Sequence, residues 1–80
     1  MKLPRDLTGR DLLRMLSVFG YVVTRQTGSH IRATTTQGGE HHITVPDHRP
    51  LRVGTMAAVL GDVAAHVGRS REEVVRQLFG

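Results

Sequence analysis

Cysteine is absent from the 80 residues. Disulfide staples and cysteine-based zinc sites are therefore excluded. The chain also lacks an apolar run of about 18 residues, the length needed to cross a bilayer. Its first residues have no apolar stretch of the signal-peptide kind. A small domain without staples is expected in the cytoplasm or held by a partner. No internal repeat and no low-complexity segment is present. Lysine is nearly missing: Lys2 is the single one, and the other ten of the eleven basic side chains are arginines.

Eighty residues allow one domain, residues 1–80, with one small core. The formal charge is +4. Arginine presents a planar fork that pairs with phosphate oxygens, so a small arginine-rich domain leans toward nucleic acid. Arginine richness also follows from genome composition, and charge alone does not decide between the two.

The order of elements is legible from periodicity. Thr8 opens a helix, because its hydroxyl can accept from the Asp11 amide while the Asp11 carboxylate reaches back. Leu12, Leu13, Met15, Leu16 and Phe19 give that helix one apolar face, and Gly20 stops it, so helix 1 is expected at about residues 8 to 19. Tyr21 to Arg25 reads as a strand, Thr27-Gly28 as a turn, and His30 to Thr36 as a second strand. Gln37-Gly38-Gly39 makes the next turn, Glu40 to Val45 a third strand, and Pro46 ends it. After a loop over 46 to 53, Gly54-Thr55 opens a second helix that runs to about Val67, where Gly68 breaks it. Ser70 and Glu73 form a capping box for a last helix over 71 to 79. The expected fold class is α+β: α-β-β-β-α with an extra C-terminal helix, its three-stranded antiparallel sheet covered by helices on one face.

Strand alternation then divides the histidines, four of which crowd into residues 30 to 48. Ile31, Ala33 and Thr35 share one face of strand 2, and His30, Arg32 and Thr34 the other. His41 goes with Ile43 and Val45, and His42 with Thr44. The helix-free face is therefore expected to carry His30, Arg32 and His42. His41 and His42 are neighbours in a strand and point to opposite faces, so they do not share a metal, and no metal site is expected.

Gly28-Ser29-His30 combines a residue that permits close backbone approach, a hydroxyl with neighbouring amides suited to a phosphate oxygen, and a side chain of the type that gives and takes protons near neutrality. Arg25 and Arg32 lie close enough to neutralise a phosphate. These are the parts that metal-free RNA cleavage needs: a base for the ribose 2′-hydroxyl, an acid for the leaving 5′-oxygen, and cations for the developing charge. His48, after Val45-Pro46, is expected mainly to order its loop by hydrogen bonding. His42 and His48 are the secondary candidates.

A longer pattern runs from about Leu7 to Leu78. Helix 1 ends in Gly20-Tyr21, followed by Arg25-Gln26-Thr27-Gly28-Ser29-His30, then Thr44-Val45-Pro46-Asp47-His48, then Val53-Gly54-Thr55-Met56. Together these resemble the HicA (YcfA-like) toxins, the mRNA interferases of toxin–antitoxin modules. The resemblance implies a fold like that of a double-stranded-RNA-binding domain, a catalytic histidine at His30, no cofactor, an mRNA substrate and neutralisation by a HicB-type antitoxin. The chain departs from many members at Thr27, where they carry a basic residue, and at Ile31, where they carry a second histidine or an aromatic. The other reading is a non-catalytic RNA-binding module or an inactive partner-binding homologue. Sequence-specific DNA binding is not expected, because residues 55 to 67 carry no arginine or lysine to serve as a recognition helix.

Overall fold

A computed structural model describes residues 3–80. The first helix, α1, spans Gly9–Leu16, and its last turn tightens into a 3₁₀ turn over Ser17–Phe19. Thr8 and Asp11 close the capping box in both directions: the Asp11 amide donates to Thr8 Oγ1 at 3.0 Å and the Thr8 amide to Asp11 Oδ2 at 3.1 Å. That second bond favours the charged carboxylate and lowers the Asp11 pKa. The helix stops where Ser17 Oγ donates back to the Arg14 carbonyl and Gly20 takes φ +84°. Gly20 has a second reason to lack a side chain, since a Cβ there would stand 2.7 Å from Thr35 Oγ1.

Three strands follow: β1 Val22–Thr27, β2 His30–Thr35 and β3 His41–Pro46, antiparallel in the order β1-β2-β3. The α+β class and the helix–strand order thus match the expectation. The strand boundaries shift by one or two residues: β1 begins one residue later and runs on to Thr27, β2 stops at Thr35, and β3 spans His41–Pro46, with Pro46 inside the strand and paired with His30 instead of ending it. Pairing with β2 accounts for the extension of β1, because Gln26 faces Ile31 and Thr27 faces His30 across the hairpin. A bulge between Val23 and Arg25 leaves Thr24 without an opposite residue, its hydroxyl near the Arg32 carbonyl and Thr34 Oγ1.

The inner face of the sheet is the one read from the alternation. Ile31, Ala33 and Thr35 of β2 and Ile43 and Val45 of β3 are buried. They meet Leu12 and Leu16 of α1, and Met56, Leu60 and Val63 of the second helix, α2, which spans Val53–Val67. The third helix, α3, spans Arg71–Phe79 and adds Val74 and Val75 to the same cluster. Its Ser70–Glu73 capping box forms as expected. Among the described residues Thr35 is the one buried polar side chain, and it is satisfied: Oγ1 donates to the Phe19 carbonyl at 2.7 Å and accepts from the Gln37 amide at 3.1 Å. Among the described residues no helix covers the other face of the sheet. No helix among the described residues is long and apolar enough to cross a membrane.

Candidate active site

The turn between β1 and β2 is short. Gly28 takes φ +58° at its first central position, where tight hairpin turns require positive φ. Thr27 and His30 close the turn as a cross-strand pair, so His30 is the first residue of β2 and exposed. On the next row of the same face Arg25 pairs with Arg32, and Arg32 with Thr44. Directly opposite residues share a face and bring their Cβ atoms to about 5 Å. Arg25, Thr27, His30, Arg32 and Thr44 therefore line one shallow concavity of about 200 Å³ on the helix-free face. Among the described residues no carboxylate lines it, so its two guanidinium groups are uncompensated at the lining and favour an anion. Of the five side chains, only that of His30 is of a type that both gives and takes protons near neutral pH.

The turn is held from below. The Asp47 amide donates to the Ser29 carbonyl at 2.6 Å. The Asp47 carboxylate accepts from Arg10 Nε at 3.2 Å and Arg10 Nη2 at 3.1 Å, a two-pronged pairing. Arg10 Nη2 also donates to Gln26 Oε1 at 3.1 Å, and Gln26 Nε2 donates to the Gly28 carbonyl at 3.1 Å. Helix α1, the end of β1 and the segment after β3 are thereby tied to the two residues that precede His30. Contact of α1 with the segment after β3 is close: the Gly9 amide donates to the His48 carbonyl at 3.1 Å, and Gly9 leaves no space for a Cβ against Pro46.

The remaining histidines lie elsewhere. His42 shares the open face with His30 but pairs with Thr34, four residues along β2, or ~13 Å at about 3.3 Å per residue. Its ring is engaged by Thr34 Oγ1 at 2.7 Å and Glu40 at 3.0 Å. His48 is exposed, and it is its carbonyl, through Gly9, that orders the loop. His41 joins the inner side at the far end of the sheet. Burial, with the Asp62 carboxylate second, pushes the Tyr21 hydroxyl up to about 12, so it stays protonated. It contacts His41 Nδ1 at 2.7 Å, and His41 Nε2 meets Asp62 at 3.2 Å. With the tyrosine hydroxyl donating to Nδ1, the Nε2 side of the His41 ring is the one that faces the Asp62 carboxylate. His66 stacks on His41 with ring centroids 4.4 Å apart and donates from Nε2 to the Gln37 carbonyl. This cluster fastens the β2–β3 turn to α2. Among the described residues no group of three or more histidine, aspartate and glutamate side chains is arranged around a metal position.

Of the residues singled out in the sequence, Arg25, His30 and Arg32 line the concavity, Gly28 and Ser29 form the adjoining turn without lining it, and His42 and His48 lie outside it. The Arg10–Asp47–Gln26 clamp has no local sequence signal. Its partners are 16 and 37 positions from Arg10 and meet only through the docking of α1.

Comparison with known families and proteins adds one finding. Residues 9–64 match the family model described as the HicA toxin of bacterial toxin–antitoxin systems. No curated protein and no solved structure matches the chain. The matched segment runs from the start of α1 into α2 and so contains the clamp, the turn and every residue of the concavity.

Proposed function

The chain belongs to the HicA toxin family of bacterial toxin–antitoxin systems, and from that premise we propose that it is a metal-independent endoribonuclease that cleaves mRNA and is neutralised by a HicB-type antitoxin. The observation that carries this reading is the placement of His30, opposite Thr27 and one row from the Arg25–Arg32 pair on the same face, in a concavity that favours an anion. A phosphodiester seated there has two guanidinium groups on its non-bridging oxygens. Ser29 and Gly28, at the turn, are the further phosphate-binding candidates.

The reaction transfers two protons. The ribose 2′-hydroxyl gives one up and its oxygen attacks the adjacent phosphorus. The bond from phosphorus to the 5′-oxygen breaks, and that oxygen takes a proton. The products are a 2′,3′-cyclic phosphate and a 5′-hydroxyl. His30 serves one of these transfers, and solvent serves the other, because no second side chain of that type lines the concavity. Arg25 and Arg32 stabilise the charge that grows on the phosphoryl oxygens in the transition state. The Arg10–Asp47–Gln26 clamp keeps the turn, and so His30, at a fixed place relative to the arginines. A phosphate backbone fits a wet sheet face lined by arginine and threonine, and membership of the family points to RNA as its source. A fold like that of a double-stranded-RNA-binding domain, as the resemblance implies, agrees with the helix–strand order.

The test is cleavage of a labelled RNA in EDTA by the protein and by His30→Ala. The expected loss on substitution is about 10²–10⁴-fold, the usual share of one acid–base group, and the fragments should carry cyclic-phosphate ends. Equal cutting by both proteins would refute a role for His30. A second reading, RNA binding without scission, is favoured by the single proton-transfer side chain in the concavity. Retained binding with no cutting by either protein would establish it.

A further inference from the structure

β1 is the outer strand on one side of the sheet and pairs only with β2 among the described residues. All six of its residues are exposed. Its outer row of amides and carbonyls has no strand partner, and such an edge is a template for an added strand. Proteins usually cover or blunt an edge of this kind, but α1 docks toward β3 instead. Between α1 and β1 it leaves a groove of about 270 Å³. Leu13, Ile31 and Ala33 contribute to its floor, and Val23, 57% exposed, forms part of its wall. Val18 and Val22 are also exposed, so three of the four large apolar side chains on the described surface fall within residues 18 to 23.

Charge indicates what fits. Arg10 and Arg14 stand one helical turn apart on the rim of the groove, with side chains 50% and 72% exposed. Each has one carboxylate neighbour, Asp47 and Asp11 respectively, and a guanidinium group retains further donors after one pairing. Arg25 projects from β1 itself. A second copy of this chain, paired edge to edge, would set these arginines against their own counterparts, and like charges across a strand pair are destabilising. An acidic strand meets the same positions with opposite charge.

We infer that the β1 edge and the α1–β1 groove form a docking surface for an extended acidic segment of a partner protein, in which apolar residues alternate with aspartate or glutamate. The segment adds as a fourth strand beside β1, its main chain bonding to the free edge and alternate apolar side chains packing over Val23. The carboxylates that alternate with those apolar side chains point to the open face, where Arg25 projects, and Arg10 and Arg14 add positive charge along the groove rim on the helix side. Because Arg25 and Thr27 belong both to β1 and to the lining around His30, the added strand narrows the approach to that concavity and competes with phosphate for Arg25. That a protein partner carries the segment rests on membership of a toxin–antitoxin family. The surface itself does not depend on ribonuclease activity.

Synthetic ten-residue peptides alternating valine or leucine with glutamate would be titrated into the isotope-labelled protein, beside versions with lysine in place of glutamate. Acidic peptides should shift the amides of Val22–Thr27 and slow their hydrogen exchange, and the lysine versions should bind about tenfold or more weakly. N-methylating alternate peptide amides should abolish binding in one of the two possible phases and spare the other, because only one edge of an added strand faces β1. Arg14→Glu and Val23→Asp should each weaken binding about tenfold or more, and Val23→Thr, which keeps the branched shape, should weaken it less. Arg14 and Val23 lie outside the concavity, so RNA cleavage by these variants should match the parent. The inference is overturned by absence of peptide binding, by equal binding of both N-methylated series, or by shifts confined to Arg25, His30 and Arg32. Dimerisation through β1, or stronger protection of the same amides by a short RNA, would also overturn it. A protein that cuts no RNA yet takes the peptide leaves it standing, whereas one that cuts RNA and takes no peptide refutes the groove alone.

Discussion

Replacing Gly9 with alanine sets two effects against each other. Gly9 is the first residue of α1, with no positive φ, and alanine is a better helix former than glycine by about 1 kcal/mol in a helix interior, somewhat less at an end. Propensity alone therefore forecasts a more stable protein. Packing forecasts the reverse. A Cβ on Gly9 would lie 2.0 Å from the Pro46 carbonyl oxygen, 3.1 Å from its carbon and 3.3 Å from Val45 Cγ1. The first contact is about 1 Å inside any tolerable approach and is made with backbone, which does not swing aside as a side chain would. Helix α1 must lift, which lengthens the 3.1 Å bond from the Gly9 amide to His48 at a further loss of about 1 kcal/mol. Overpacking of this kind costs roughly 1–3 kcal/mol. The net expectation is destabilisation by about 1–3 kcal/mol, or a fall in Tm of several degrees at about 4–8 °C per kcal/mol. Gly61→Ala supplies the contrast. It sits within α2 with only Arg71 Cδ at an ordinary 3.9 Å, so propensity acts alone and should raise stability by up to about 1 kcal/mol. Denaturant unfolding of the two variants beside the parent measures both. A Gly9→Ala protein as stable as the parent would refute the argument that the seat of α1 on Pro46 limits this position.

Thr35→Val keeps the volume of the side chain but strands the Phe19 carbonyl in a buried place and removes the acceptor of the part-buried Gln37 amide, and should cost about 1–3 kcal/mol by equilibrium unfolding. Acid sensitivity should come in part from the two helix caps. Backbone hydrogen bonds from Thr8 and Ser70 lower the carboxyl pKa values of Asp11 and Glu73 in the folded state. Their contribution is complete above the ordinary carboxylate range and is lost as pH falls through that range toward the depressed folded values. Glu73→Gln should therefore show a shallower decline of stability below about pH 5 than the parent, and parallel declines would refute the assignment.

The sequence discloses the faces of β2 and β3 because alternation there is clean: Ile31, Ala33 and Thr35 against His30, Arg32 and Thr34. With the faces known, the company of His30, Arg25 and Arg32 follows from hairpin geometry. β1 is less readable. Every one of its residues is exposed, so no burial pattern marks its phase, and the bulge at Thr24 shifts it again. The end of α1 misleads for a different reason. Leu16 to Phe19 keep a helical apolar rhythm, yet the Ser17 hydroxyl and Gly20 draw that last turn into 3₁₀ form. Arg10, Asp47 and Gln26 are ordinary polar residues at ordinary intervals. Their meeting is decided by where α1 lands on the end of β3, and only Gly9, at a helix start that would suit most other residues, hints that something passes close by.

The bond from the Asp47 amide to Ser29 also has a consequence in time. His30 and both concavity arginines precede Asp47 in the chain, by 15 to 22 positions. At about 5–20 residues per second of synthesis, the strand bearing His30 emerges roughly one to a few seconds before the residue that holds its turn. Through that interval the nascent chain holds the histidine and the arginines without the bond that supports their turn, and translation that halts between positions 33 and 46 releases a fragment with every concavity residue except Thr44, or with that one too, and never with the clamp. Fastening of the turn is therefore tied to the arrival of a single aspartate, 17 positions after His30.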